Sequence, residues 1–155
     1  MVKETLLLVG HGSKLPYSKQ LLVDIAEKVK SQNKFENIEI GLMEFNEPSI
    51  PTALKKIIAD GTKRIIVVPV FLAPGTHTTK DIPTILGLLK EEHHHDHDHH
   101  HDHDHGHSHG HGHGHHHHHH GEPVDIPDDV EIVYKGPLGA DDRIVEIVME
   151  RALSE

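Results

Sequence analysis

The sequence contains no cysteine and no tryptophan, and aromatic residues make up only 3% of its 155 residues. Without cysteine the chain has no disulfide framework, no thiolate metal site and no cysteine nucleophile. So few aromatic side chains do not provide the stacking platforms of single-strand nucleic-acid binders. A formal net charge of −10 also argues against a nucleic-acid partner.

Long apolar runs are missing as well. No run approaches the roughly 18 residues that a membrane-spanning helix requires. The apolar stretch near the amino terminus, TLLLV, is much shorter than the apolar region of a signal peptide. We therefore expect a soluble, cytoplasmic protein with no membrane partner.

Histidine, in contrast, is abundant and concentrated in one tract. Of the 21 histidines, 19 lie between residues 93 and 120, mixed only with Asp, Gly and a single Ser. A segment with no apolar residue cannot bury a core, so we expect a disordered insertion that binds divalent metal ions. An expression tag is the alternative interpretation, but tags are normally terminal and uniform.

The rest of the chain has an ordinary globular composition. Removing the 28 residues of the tract, which include four Asp, leaves 127 residues and takes the net charge from −10 to −6. We expect residues 1–92 and 121–155 to form a single domain. Its two histidines are His11 and His77.

Apolar runs and helical periodicity alternate along this domain. Strands are predicted over residues 5–9, 38–45, 64–71 and 131–134, with regular pairing ending or bulging at Pro69. Helices are predicted over residues 16–30, from an N-cap at Ser49 to Gly61, over 79–92 and over 141–153. The third helix should face the core with Ile82, Ile85, Leu86 and Leu89, and the fourth with Ile144, Ile147, Val148 and Ala152.

Such alternation predicts an α/β fold, a flavodoxin-like four-stranded parallel sheet with helices on both faces. The strand order 2-1-3-4 is the common one for a first strand flanked on both sides. Ligands in such sheets bind at the carboxyl ends of the strands, where the strand order reverses. In this order that crevice lies between strands one and three.

Both histidines of the domain follow those two strands. His11 comes directly after strand one, in GHGS, and His77 follows strand three, in PGTH. A single loop histidine is more often merely solvated, but two at one crevice favour a site. Facing imidazoles suit a divalent ion such as cobalt, nickel or zinc, and they also suit proton abstraction near neutral pH. Glu44, at the end of strand two, is a further candidate ligand or simply a helix-entry residue.

Several motifs of other enzyme classes are absent from the sequence. It has no G-x-x-x-x-G-K-[ST] phosphate loop and no G-x-G-x-x-G dinucleotide fingerprint. The serine of GHGS does not stand in a G-x-S-x-G elbow. A small hydrolase or isomerase using His11 as base remains an alternative that would be indifferent to metal.

Three segments together resemble a known family. LLLVGHGS, MEFNEPSI and VVPVFLAPGTHTTKDIP are similar to the short-form sirohydrochlorin cobalt or nickel chelatases of archaea, which belong to the class II chelatases. The resemblance implies a chelatase-like half-unit that works as a homodimer. It implies insertion of a divalent ion into sirohydrochlorin without ATP or a permanently bound cofactor. The product would feed cobalamin or the nickel tetrapyrrole coenzyme of methanogenesis.

The resemblance also assigns roles to residues. His11 matches the proton acceptor and a metal ligand, and His77 matches the second metal ligand. It implies that the substrate is bound by Glu47, Leu72, Ala73, Pro74, Gly75, Thr76 and His77. To these residues we add Gly12 and Ser13, in the loop after strand one. Glu47 is the least suited by charge, since sirohydrochlorin carries eight carboxylates, so a backbone contact is expected there.

A domain of net charge −6 must hold this polyanion by local donors. Backbone N–H groups at the starts of helices one and three are the expected donors. The nearby side chains are Ser13, Lys14, Thr78, Thr79 and Lys80. A different class of function stays open: a metal-storage or metallochaperone protein that acts through the histidine tract.

Overall fold

The structure is a computed structural model that describes residues 2–89 and 123–155. Its four strands, all parallel, are β1 (Glu4–Gly10), β2 (Ile38–Leu42), β3 (Arg64–Pro69) and β4 (Glu131–Tyr134). They form one sheet in the order β2-β1-β3-β4, which confirms the predicted fold class and strand order. The segments before and after the histidine tract therefore share one sheet.

The helices are α1 (Tyr17–Ser31), α2 (Ile50–Ala59), α3 (Ile82–Ile85) and α4 (Asp142–Leu153), and a π-helical turn (His77–Asp81) runs into α3. The predicted cap of α2 is confirmed, because the Ser49 side chain accepts the Thr52 N–H and Pro51 lies in the first turn. Within the described part of the chain, none of these helices is long and apolar enough to cross a membrane.

Apolar side chains cover the sheet on two sides. Leu7 and Val9 of β1 pack with α2 and α3 in the larger core cluster. The alternate residues Leu6 and Leu8 point to the opposite side, where Leu22 of α1 packs on them. This alternation along a single strand is the two-residue period of β structure applied to a strand with helices on both faces.

Two strands end earlier than predicted. β3 ends at Pro69, because proline has no N–H for the ladder, although Val70 still donates to the Val9 carbonyl at 2.8 Å. β2 ends at Leu42, whose N–H donates to the Pro48 carbonyl at 3.0 Å, although the Met43 N–H still donates to the Gly10 carbonyl at 3.0 Å. These early ends leave loop residues at the carboxyl edge of the sheet.

The predicted third helix was too long. After the π-helical turn, α3 makes a single turn and ends at Ile85, and Gly87, just after the C-cap Leu86, adopts φ +72°. The N–H groups of Gly87 and Leu88 donate to the carbonyls of Thr84 and Pro83, which is the Schellman pattern that glycine favours. Leu89 is consequently 45% exposed rather than buried. Residues 90–92 of the prediction lie outside the described residues.

The predicted inward face of α4 was also wrong within this chain. The helix itself begins at its predicted cap, Asp141, but none of its residues is buried. Ile147 and Val148 are 49% and 58% exposed, and Ala152 is exposed as well. The apolar stripe is present in the sequence, but no element of the described chain covers it.

The histidine tract at residues 93–120 lies outside the described residues. Its predicted disorder therefore stays a prediction, as does the division of the chain into one domain and an insertion.

Candidate active site

Two imidazoles meet at the carboxyl edge of the sheet, where β1 and β3 lie side by side. His11 follows the last residue of β1, and His77 begins the π-helical turn after β3. Their Nε2 atoms are 3.1 Å apart, and the ring centroids are 4.8 Å apart at an interplanar angle of 67°. Although 66 residues separate them in the sequence, the parallel pairing of β1 with β3 brings both loops to the same edge.

The backbone orients the ring of His11. Its Nδ1 lies 3.0 Å from the Gly12 carbonyl oxygen. A carbonyl oxygen only accepts hydrogen bonds, so Nδ1 is the nitrogen that donates. In the neutral ring the Nε2 atom that faces His77 therefore carries a lone pair, which is the state that binds a metal ion or takes up a proton.

A carboxylate orients the ring of His77. Its Nδ1 lies 2.8 Å from Asp81 Oδ2, and the Asp81 side chain is only 12% exposed. The carboxylate accepts the Nδ1 proton, so Nε2 is the nitrogen that faces the ring of His11. Sequence reasoning missed Asp81, although its spacing of four residues from His77 is one helical turn and was a usable signal.

The distance between the two Nε2 atoms fits one shared ion. Two nitrogens each ~2.1 Å from an ion, at an angle between about 90° and about 109°, lie about 3.0–3.4 Å apart. The observed 3.1 Å falls in this range. Among the described residues, no group of three or more His, Cys, Asp or Glu side chains is placed to hold a metal ion. The pair therefore leaves most positions of an ion open, unlike a closed structural site.

The loop that carries His11 has no room for a side chain at Gly12. Gly12 has φ +86°, and a Cβ there would lie 1.9 Å from the Glu44 carbonyl oxygen. The Glu44 N–H donates to the His11 carbonyl at 3.0 Å, and the Ser13 N–H donates to Asn46 Oδ1 at 2.9 Å. Asn46 was not predicted, and only the tertiary structure shows that it joins the loop after β2 to the loop after β1.

Side-chain hydrogen bonds from two threonines and a tyrosine fix the loop that carries His77. The Thr78 hydroxyl accepts the Gly75 N–H at 2.9 Å, and the Thr79 hydroxyl donates to the Gly75 carbonyl at 2.7 Å. The Tyr134 hydroxyl, from the end of β4, donates to the Thr78 carbonyl at 2.6 Å. Partial burial raises the pKa of the Tyr134 phenol, which keeps this donor protonated. The two threonine hydroxyls thus serve the loop itself.

The other predicted substrate-binding residues lie on the same edge of the sheet. Leu72, Ala73, Pro74, Gly75 and Thr76 form an exposed loop after β3, and Ser13 is half-buried. Glu44 is half-buried in the loop after β2. The exposed Glu47 accepts the Ser49 N–H at 3.0 Å through its carboxylate, so this carboxylate already has a local role beside the cap of α2.

Exposed apolar side chains lie in the loops that follow the four strands. We call four of them the apolar rim, one from the loop after each strand: Leu15, Phe45, Leu72 and Leu138. Phe45 adopts φ +65°, which is rare for a bulky residue and marks a constrained turn, and Lys14 Nζ lies 5.6 Å from its ring centroid. The N–H groups of Leu138 and Gly139 bind the Phe71 and Leu72 carbonyls at 2.8 and 2.7 Å. The loops at this edge therefore carry exposed apolar side chains as well as the two imidazoles.

The fold and the site together define a doubly wound α/β protein. Its two facing histidines lie between β1 and β3, at the carboxyl edge where the strand order reverses. The model of the CbiX family matches residues 5–155, and the chain belongs to this family. The sirohydrochlorin cobaltochelatase of Methanocaldococcus jannaschii is 65% identical over 149 residues, covering 96% of this chain and 97% of that protein. That of Methanococcus aeolicus is 58% identical over the same shares. The predicted family and the predicted enzyme class, a metal chelatase, are confirmed.

Solved structures support the fold. The sirohydrochlorin chelatase SirB of Bacillus subtilis subspecies spizizenii, in complex with cobalt, matches with a TM-score of 0.67 at 23% identity, covering 97% of this chain but 50% of that chain. A CbiX protein of Marinobacter aquaeolei matches with a TM-score of 0.59 at 23% identity, covering 96% and 93%. This chain thus spans about half the length of SirB and nearly all of the shorter relative.

Proposed function

We propose that this protein inserts divalent cobalt or nickel into sirohydrochlorin without ATP, in the cytoplasm, for cobalamin or the nickel tetrapyrrole coenzyme of methanogenesis. The observation that carries the proposal is the 3.1 Å approach of His11 Nε2 and His77 Nε2 at the edge of the sheet whose loops carry the apolar rim. The names of the full-length relatives, sirohydrochlorin cobaltochelatases, support the same substrate.

The metal ion is a substrate and is held by the two imidazoles only until the macrocycle arrives. Two protein ligands leave open positions for water and then for ring nitrogens. The flat apolar faces of the tetrapyrrole pack on the rim of Leu15, Phe45, Leu72 and Leu138. Its carboxylates reach Lys14, Lys80 and the exposed backbone of the loop over residues 72–76.

Insertion releases two protons, and the two histidines can accept them. A divalent ion replaces two pyrrole protons, so charge balances when each imidazole takes one proton as the ion leaves it. The resemblance to the family makes His11 the first proton acceptor, and the Gly12 carbonyl accepts the Nδ1–H of the charged ring. Asp81 does the same for His77 with a full negative charge.

The test is an anaerobic titration of sirohydrochlorin and Co²⁺ or Ni²⁺, followed by the visible spectrum of the macrocycle. The wild type should produce the metallated spectrum, and His11→Ala and His77→Ala should lose most of the rate. Ser31→Ala, at the opposite edge of the sheet, is the matched control and should keep it. Single-metal assays at limiting ion decide between cobalt and nickel.

Near-wild-type rates in both histidine variants would refute the assignment. Metal binding without any change in the macrocycle spectrum would instead indicate a storage or metallochaperone protein acting through the histidine tract.

We also propose that the working form is a homodimer. One copy presents its site as an open edge, and a symmetric partner would complete the wall around the macrocycle with a single type of interface. Light scattering at assay concentration should give about twice the chain mass, and a fully active monomer would contradict this part of the proposal.

A further inference from the structure

The peptide unit that joins Gly12 to Ser13 supports the ring of His11. Its carbonyl oxygen lies 3.0 Å from His11 Nδ1, and its N–H donates to Asn46 Oδ1 at 2.9 Å. A peptide unit is planar, so its N–H and its carbonyl cannot turn independently of each other. Asn46 therefore acts on the orientation of the carbonyl that accepts the Nδ1 proton of His11.

The backbone around Asn46 is itself constrained. The Asn46 N–H donates to the Glu44 carbonyl at 2.8 Å, and the residue between them, Phe45, has φ +65°. An N–H that bonds the carbonyl two residues earlier closes a γ-turn, and the form with positive φ is rare and strained. Such strain persists only where the surrounding structure fixes the conformation. The turn therefore fixes the point from which the Asn46 side chain reaches the loop after β1.

The loops after β1 and β2 lie in direct contact at Gly12. This residue is buried, and a Cβ there would lie 1.9 Å from the Glu44 carbonyl oxygen and 3.1 Å from Asn46 Oδ1. The Glu44 N–H donates to the His11 carbonyl at 3.0 Å. The two peptide units that flank Gly12 are thus both hydrogen-bonded to the loop after β2, one through its carbonyl and the other through its N–H.

We propose that Asn46 is the positioning residue of His11. By holding the Ser13 N–H, it fixes the Gly12 carbonyl, which keeps the proton of the neutral ring on Nδ1 and leaves the lone pair on Nε2. A hydrogen bond at the N–H of a peptide unit also polarises its carbonyl and makes it a better acceptor. The inference deepens the proposed function and rests on the role of His11 as a metal ligand.

The two imidazoles of the site differ in what supports them. His77 Nδ1 is bonded directly to the carboxylate of Asp81, whereas His11 Nδ1 is bonded to a neutral carbonyl. Hydrogen bonds to a charged group are roughly twice as strong as those between neutral groups. The tautomer of His11 consequently depends more on the exact placement of its acceptor, and Asn46 provides that placement.

Asn46→Leu tests the inference, because leucine has nearly the size and shape of asparagine but no acceptor oxygen. If Asn46 keeps His11 in the state that binds metal, this variant should raise the KM for Co²⁺ about tenfold. The kcat at saturating Co²⁺ and the KM for sirohydrochlorin should change little, because the bound ion itself selects the competent ring. Asn46→Ala should give the same result, and Asn46→Asp, which keeps an acceptor oxygen, should restore the KM.

Asn37→Ala is the matched control. The Asn37 amide donates to the Glu4 carbonyl at 3.2 Å, so it also joins the chain beside β2 to the backbone of β1, but at the amino edge of the sheet. Asn37 and Asn46 are both half-buried. The control should lower the urea midpoint of unfolding and leave the KM for Co²⁺ unchanged. An equal KM for Co²⁺ in Asn37→Ala and Asn46→Leu would make Asn46 a loop contact only and overturn the proposal.

The tautomer of His11 gives a second readout that needs neither metal nor sirohydrochlorin. Long-range ¹H–¹⁵N spectra distinguish protonated from unprotonated ring nitrogens, and the signals of His11 are those that His11→Ala lacks. At about pH 8.5, where an ordinary imidazole is neutral, the wild type and Asn46→Asp should carry the proton on Nδ1. Asn46→Leu should show both tautomers.

The two readouts separate this inference from the proposed function. A ring of His11 that stays entirely in the Nδ1–H tautomer in both Asn46→Leu and Asn46→Ala would overturn the inference, even if His11→Ala has lost metal insertion. Mixed tautomers in Asn46→Leu together with a wild-type insertion rate in His11→Ala would support the positioning of the ring and overturn its role in insertion.

Discussion

His77 lies between a carboxylate and a second imidazole: its Nδ1 is 2.8 Å from Asp81 Oδ2 and its Nε2 is 3.1 Å from His11 Nε2. One ring nitrogen is thus held by the fold while the other is presented at the carboxyl edge of the sheet. An arrangement of this kind fixes the tautomer and the orientation of a metal-binding imidazole. Asp81 can therefore be replaced without removing either imidazole of the proposed metal site.

Replacing Asp81 should weaken the handling of metal more than the fold. We expect Asp81→Ala to raise the KM for Co²⁺ about 10- to 100-fold, the usual effect of losing a partner of a metal-binding histidine. The KM for sirohydrochlorin should change little. Asp81→Asn keeps an acceptor oxygen and should recover part of the loss. Asp24→Ala, an exposed carboxylate on α1, is the control, and equal effects at both positions would contradict the role of Asp81.

Replacing Phe45 should separate substrate binding from stability. Phe45→Gly removes the ring but suits φ +65°, so the free energy of unfolding should stay the same or increase. If the ring packs on the macrocycle, the KM for sirohydrochlorin should rise about tenfold, equivalent to about 1.4 kcal/mol. Phe45→Tyr should preserve the KM. An unchanged KM in Phe45→Gly would remove Phe45 from the binding surface.

Replacing Tyr134 should loosen the His77 loop. Tyr134→Phe removes the hydrogen bond to the Thr78 carbonyl and should cost about 1 kcal/mol in urea unfolding. Because the pKa of Tyr134 is raised in the folded state, its proton is bound more tightly there than in the unfolded chain. The advantage of the wild type should therefore persist below about pH 10 and fall as the phenol ionises above it. A difference that does not change with pH would contradict this account.

Deleting residues 93–120 should leave a folded protein that still inserts metal when the ion is abundant. The segment has no apolar residue with which to contribute to a core, but it holds 19 imidazoles and four carboxylates. The deletion should therefore bind far fewer divalent ions, and its insertion rate should fall only when metal is scarce. Metal binding by the tract should weaken below about pH 6, where imidazoles protonate.

The measurement is the insertion rate against the concentration of metal for the full chain and the deletion. A deletion that is inactive even at saturating metal would place the tract in the catalytic centre, and His11 and His77 alone would then not suffice.

Local sequence determined the order of elements, the parallel sheet and the edge at which His11 and His77 lie. Apolar runs such as TLLLV and RIIVVPVF have the length and composition of buried strands, and the alternation of strands with helices leaves few topologies. Since parallel strands share one carboxyl edge, two residues that follow neighbouring strands must meet there. These are consequences of short-range pattern combined with general rules of chirality.

Only the tertiary structure shows which residues are hydrogen-bonded to each other across that edge. Only the tertiary structure shows that the apolar side of α4 is left exposed. Asn46 bonds the Ser13 N–H and Tyr134 bonds the Thr78 carbonyl, and neither pair is near in sequence. The stripe of α4 predicts that the helix must be covered, but periodicity carries no information about which surface covers it. Hydrophobic burial is non-directional, so the pattern specifies the need for a contact, and only the three-dimensional arrangement of the other surfaces determines where that contact is made.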